Sequence, residues 1–162
     1  MNTMDELFHT MLQDVYYAEK QLLKSLNKMA KKASNSQLER AFLNHRTETE
    51  GQIERLDQVF EMIDKKPRGK KCEAILGIIA EADEVIKEAE EDDVLDAGMI
   101  AAAQAAEHYE IARYGTLVAW AKQIGQPRIA RLLHQTLEEE KKTDALLTKL
   151  AEAQVNPAAK SA

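Results

Sequence analysis

The chain has 162 residues, enough for one domain with a core of its own, and no shift of composition marks a second. Hydrophobic residues make up 44% and charged residues 31%, while Gly and Pro together number only nine, a balance that favours long amphipathic helices over strands and turns. The formal charge of -6 excludes the surplus of Lys and Arg that non-specific binding to nucleic acid needs, so no nucleic-acid partner is expected.

Thr3 and Glu6 stand at the spacing of a reciprocal helix cap, so the first helix is predicted to begin near Met4. Phe8, Met11, Val15, Leu22, Leu26 and Met29 then recur at helical steps up to Ser34-Asn35-Ser36, giving a helix over roughly 4–32. Ser36 and Glu39 repeat the capping spacing, and Leu38, Phe42, Thr49, Leu56, Val59 and Ile63 trace a second helix to about Asp64. The basic stretch 65–71 carries Pro67 and Gly69 and reads as an exposed loop. Cys72, the only cysteine, follows it; no disulfide can form within the chain, and a reducing compartment and a structural role suit it.

Residues 73–91 form a shorter helix with Ile75, Ile78, Ile79, Ala82 and Ile86 on its apolar face, in the position of a crossover. Asp93 can cap a fourth helix that carries Ile100, Ala103, Glu107, Glu110, Tyr114, Leu117 and Ala121 and ends at Gly125. Pro127 suits the first turn of a fifth helix running to about Ala153. The sequence therefore predicts one domain over 1–154 and a disordered tail over 155–162. With no basic start followed by an apolar run, and no apolar stretch of about 18 residues, a cytoplasmic location without membrane contact is expected.

Two tight helix pairs joined by a long connection predict an all-α, ferritin-like four-helix bundle with a short extra helix in the crossover. The halves echo one another: Ala18-Glu19 matches Ala106-Glu107, and each is followed about thirty residues later by a glutamate, Glu48 or Glu140, in a register that drifts by a few residues.

Most of the 28 acidic residues belong on solvated faces, paired with Lys or Arg a turn away. Several do not. Glu107 and Glu110 share the inner stripe of the fourth helix, among Ala102, Ala103, Ala105 and Ala106. Glu140 interrupts the stripe Leu133, Thr136, Leu147 of the fifth, with Asp144 one turn on. Glu19 interrupts the step from Val15 to Leu22, and His45 and Glu48 lie beside Phe42, Thr49 and Gln52. Gathering carboxylates in a core costs hydration and mutual repulsion unless protons or cations intervene, and a divalent metal pair resolves the conflict. Oxygen-rich ligands with one imidazole favour iron, with manganese the alternative. The expected ligands are Glu19, His45, Glu48, Glu107, Glu110, Glu140 and Asp144. For a single core-edge glutamate an ion-paired or solvated role is the commoner outcome, and it is the convergence of four helices that carries the metal reading.

The motifs Asp14-x-x-x-Ala18-Glu19-Lys20-Gln21-Leu22, His45-x-x-Glu48-Thr49-x-x-Gln52-Ile53-x-Arg55-Leu56, Glu107-His108-Tyr109-Glu110-Ile111-Ala112-x-Tyr114-Gly115-Thr116-Leu117 and Leu132-Leu133-x-x-Thr136-Leu137-x-Glu139-Glu140-Lys141-x-x-Asp144 resemble the YciE/YciF family over nearly the whole chain. The resemblance implies a fold related to rubrerythrins, a bacterial stress setting and a homodimer; apolar residues on the 73–91 helix point to the same assembly. By position the rubrerythrin-like ligand pattern selects Glu19, Glu48, Glu107, Glu110 and Glu140. Gly51 and Thr143 stand where its two histidines would fall, and no Cys-x-x-Cys segment is present. Three functions compete: a di-metal protein reacting with dioxygen or peroxide, a non-catalytic stress protein with a vestigial or passive metal site, and iron storage in a closed cage.

Overall fold

The computed structural model describes residues 1–162. Five helices make the body: α1 (Met4–Lys32), α2 (Ser36–Met62), α3 (Glu73–Glu88), α4 (Asp92–Gln123) and α5 (Pro127–Leu150). The chain then passes through a π-helical turn, Ala151–Val155, into α6 (Asn156–Ser161). No helix is long and apolar enough to cross a membrane.

The start of α1 is the expected one, with Thr3 Oγ1 accepting from the Glu6 amide at 3.2 Å; the Glu6 carboxylate reaches back to the Asn2 amide at 2.7 Å rather than to that of Thr3. For α2 the cap is Asn35, not Ser36. Its Oδ1 accepts from the amides of Gln37 and Leu38 at 2.9 and 3.1 Å, because an Asn side chain in extended backbone meets those two donors directly. The turn between α1 and α2 is tied to α4 by Asp96, whose buried carboxylate accepts from Ser34 N, Ser34 Oγ and Asn35 N at 3.0, 2.7 and 2.8 Å. Between α4 and α5 the reversal needs Gly125 at φ +75.

In cross-section the long helices form a square, α1 packing on α2 and α4, and α5 on the same two. The crossover helix α3 lies outside it against α1 and α4, where Cys72 and Ile75 meet Ala18, Leu22 and Ala106. Gly98 allows α3 to approach: a Cβ there would sit 2.3 Å from Val85 Cγ1. Ile75 is buried and Leu76, Ile78 and Ile79 are partly covered by the bundle itself, so the apolar surplus expected on this helix is small.

Two apolar clusters fill the ends of the square. One gathers Phe8, Leu12, Leu56, Phe60, Leu117 and Ile129; the other gathers Leu26, Leu38, Phe42, Met99, Leu147 and Val155. Between them lies a polar waist containing Glu19, His45, Gln52, Glu107, Glu110 and Glu140, all buried.

The tail departs from expectation. Residues 151–161 are helical, and Ala151 and Val155 extend the stripe of Leu147 and Leu150 into the second cluster. Pro157 has no N–H to give to the residue four back; just before it the helix widens, with Asn156 N–H bonded to Ala151 O, and the proline enters a new first turn.

Candidate metal centre

Each waist residue sits at the midpoint of a long amphipathic helix, where the neighbours one turn either way are apolar or small. Glu107 and Glu110 lie on α4 between Ala103 and Tyr114, Glu140 on α5 between Thr136 and Thr143, and Glu19 on α1 between Val15 and Leu22. Packing those neighbours brings the polar groups together. One ligand atom from each of His45, Glu107, Glu110 and Glu140 lies within 4.8 Å of all the others. The imidazole bridges two helices: Nδ1 is 3.1 Å from Glu107 Oε1 and Nε2 is 3.5 Å from Glu140 Oε2, neither approach aligned as a hydrogen bond.

Glu19 lies outside this set of four but beside it. Its Oε1 accepts a hydrogen bond from the Tyr114 hydroxyl, and its other oxygen is buried without a partner. Burial, reinforced by the charge of Glu140, pushes Glu19 up to about 8 against the opposing pull of Tyr114, Glu110 and Arg55. Glu110 is held well above the ordinary carboxylate range by burial and by the charges of Glu19, Glu140 and Glu107. Glu107 rises for the same first reason, and because Glu140 stands beside it. Glu140 moves the other way: burial would raise it, but Glu107, His45 and the Gln52 amide outweigh that and favour its anion. In the absence of a cation, burial and mutual repulsion thus favour the protonated forms of Glu19, Glu107 and Glu110, while Glu140 favours its anion.

Two further expected ligands stand elsewhere. Glu48 is exposed and accepts from Thr143 Oγ1 at 3.3 Å. Asp144 is partly exposed and is engaged by Gln104 Nε2 at 3.0 Å and by His108 Nε2 at 3.2 Å. In place of Glu48, α2 sends Gln52 into the waist. Its Nε2 donates to Glu140 Oε1 and, at 3.2 Å, to Glu139 Oε2; its Oε1 is buried without a partner. Gln52 had a signal in the sequence. Glu19 to Gln52 is the same thirty-three residues as Glu107 to Glu140, so the two halves match without drift once an amide is allowed in the place of an acid.

The donor set fits a cation. Both oxygens of Glu107 and of Glu110, both nitrogens of His45 and one oxygen of Glu140 are buried and lack a hydrogen-bond partner. Buried polar atoms are ordinarily paired, and Asp96 shows that this bundle can do so for a structural acid. Carboxylate oxygens with one imidazole and no thiolate suit iron or manganese.

A square of four long helices with a carboxylate and imidazole waist defines a ferritin-like bundle with a candidate metal centre. Residues 3–160 match the DUF892 family, described as a domain of unknown function, and the chain belongs to it. Protein YciF of Escherichia coli strain K12 is 51% identical over 162 residues, 99% of this chain and 98% of YciF. The crystal structure of the E. coli stress protein YciF matches with a TM-score of 0.92 at 52% identity, covering 96% of this chain and 99% of that one. YcfI of Rhodopseudomonas palustris, for which a structural role has been put forward, matches with a TM-score of 0.89 at 50% identity over 91% of this chain and 94% of its own. A Xanthomonas campestris protein, 23% identical over 98% of both chains, shares the fold at a TM-score of 0.77.

Proposed function

We propose that this chain is a stress-associated, ferritin-like protein that binds divalent iron, or alternatively manganese, in its waist through His45, Glu107, Glu110 and Glu140. The observation that carries the reading is the set of buried, unpartnered ligand atoms within 4.8 Å of one another. The likeness to a stress protein supports the setting. Such an ion, when bound, supplies a Lewis-acidic, redox-capable centre at which dioxygen or peroxide can be polarised. The protein's own part is to exclude water and to favour the Glu140 anion through Glu107, His45 and Gln52. A passive, non-catalytic centre is the second reading, favoured by Gln52 on α2 and by Thr143 three residues beyond Glu140, where an imidazole would complete the pattern. A homodimer belongs to the same proposal; light scattering across a dilution series at a monomer mass of 18.2 kDa tests it.

Metal analysis after purification without chelator, followed by equilibrium dialysis against ferrous ion under anaerobic conditions and against manganous ion, tests the centre. The expected result is at least one ion per chain in the native protein and a large loss of affinity in His45→Ala. Occupancy well below one ion under metal-replete conditions overturns the reading.

A further inference from the structure

We infer that Gln52 and Arg55 make the α1–α2 half of the waist a half that takes no metal, so that the centre holds one ion per chain rather than the expected pair. This rests on the metal reading and concerns only how many ions the site accepts.

Glu19 and Gln52 occupy on α1 and α2 the places that Glu107 and Glu140 occupy on α4 and α5. A two-ion waist of this fold draws one glutamate from each of two helices and a Glu-x-x-His motif from each of the other two. On α2 that motif would fall at 52 and 55, and the chain has an amide and a guanidinium there instead. The α4–α5 half is compensated for its own missing imidazole at Thr143: α4 adds Glu110, and His45 reaches across from α2 to Glu107 and Glu140. The α1–α2 half has no such compensation. Its one carboxylate, Glu19, already accepts from the Tyr114 hydroxyl.

Chemistry then disfavours a second ion in three ways. The Gln52 amide turns a hydrogen-bearing nitrogen toward Glu140, and the reverse orientation would set an amide oxygen against a carboxylate oxygen; the group donates where a bridging carboxylate would accept. The Gln52 carbonyl oxygen is buried and unpartnered, but it is neutral and brings no charge to offset a divalent ion. Arg55 is a permanent cation whose field already acts on Glu19, and it is fixed in place by Thr136 Oγ1 and Glu139 Oε2, each at 2.8 Å. The guanidinium is partly exposed and ion-paired with Glu139, and a divalent ion beside Glu19 would still meet its remaining repulsion. Arg55 thus sets a fixed cation on the side of the waist where a second ion would sit.

The test is a manganous titration of the native protein, of Gln52→Glu with Arg55→His, and of Glu19→Gln, read by metal stoichiometry and by electron paramagnetic resonance. The native protein is expected to bind one ion with the spectrum of an isolated manganous centre. The double substitution restores the Glu-x-x-His motif on α2 and is expected to bind a second ion, with the two exchange-coupled. Glu19→Gln is expected to keep the single ion with affinity within about threefold of native. Two coupled ions in the native protein, loss of an ion in Glu19→Gln, or no gain in a folded double variant each overturn the inference while leaving the metal reading standing. Should the double variant not fold, the native spectrum and Glu19→Gln decide it. No bound ion in the native protein overturns the metal reading and the inference with it.

Discussion

The apolar ends and the polar waist are built by the same four helices, yet they solve opposite problems. At the ends, Phe8, Leu12, Leu56, Phe60 and Leu117 are almost wholly removed from water and need nothing but each other. In the waist, Glu107 and Glu110 are equally removed from water and have no hydrogen-bond partner for any of their four oxygens. Asp96 prevents this from being read as carelessness of the fold, since its carboxylate is met by three donors. The ends hold the bundle together by burial, whose worth is roughly 25 cal/mol per Å² of apolar surface. The waist subtracts from that stability until a proton or a cation neutralises it.

The largest effect separating the two regions is expected at Phe60, which is fully buried and packs edge-on against Tyr16 with ring centroids 5.3 Å apart. Phe60→Ala should lower unfolding free energy by about 3–5 kcal/mol, by lost transfer energy and by the cavity left behind. Urea unfolding should show a lower midpoint with an unchanged slope, equally in chelator and in metal. A metal-dependent loss would mean that the ends and the waist are not separable.

Next in size is the response of the metal-free protein to pH. Glu19 is pushed up to about 8 in the folded chain from an ordinary 4.5, and Glu107 and Glu110 are raised as well. The folded state therefore binds more protons than the unfolded chain across that window, and stability must fall as pH rises through it. The contribution of Glu19 is complete below about pH 4.5 and is lost as pH passes about 8; Glu140, held low, acts in the opposite sense and only at more acid pH. Melting temperature in chelator should thus drop from about pH 5 to about pH 8 in the native protein and drop less in Glu19→Gln. Equal slopes in the two proteins would show that the waist does not carry its protons as described.

Glu107→Gln sharpens the comparison at a single residue. In chelator the change should be neutral or stabilising, because a neutral amide replaces a carboxyl that burial and the neighbouring Glu140 already push toward its protonated form. In excess manganous or ferrous ion it removes a charged ligand, and metal affinity should fall about tenfold or more, which diminishes the stabilisation that binding confers. An unchanged metal-induced rise in melting temperature would remove Glu107 from the centre.

The fold was legible because long helices announce themselves through period and caps. The predicted span 4–32 is that of α1, and Pro127 and Gly125 mark the last reversal as observed. The waist was partly legible: Glu19, Glu107, Glu110 and Glu140 each interrupt an apolar stripe, and the structure brings them with His45 into one layer. What misled was chemistry rather than pattern. The acid expected from α2 is Glu48, which is exposed at the edge of the inner stripe, about 100° round the helix from the buried Thr49, whereas the inward residue one turn on is an amide. Asp144 fails likewise, one position round the helix from the buried Thr143. Arg55 was not legible as part of the site, because its bearing on the waist comes from Glu139 and Thr136 on another helix.

The smallest expected effect lies at the C-terminal edge of the second apolar end and tests how far that end extends. Val155 is buried among Leu26, Leu38, Leu147 and Leu150, while no residue of α6 is buried. The π-helical turn exists to bring Val155 inward and to leave Pro157 outside, so the stabilising part of the tail should stop at Val155. Removing residues 156–162 should change unfolding free energy by no more than about 0.5 kcal/mol, the range of surface changes that touch no special feature. Removing everything after Leu150 also takes Ala151 and Val155 out of the cluster and should cost about 2 kcal/mol, from the methyl groups exposed and the carbonyls of α5 left unpaired. Urea midpoints of the two truncations in chelator give the difference. If the shorter truncation costs as much as the longer, α6 holds the end closed by contacts other than burial, and the boundary between the stable end and the dispensable tail belongs beyond Val155.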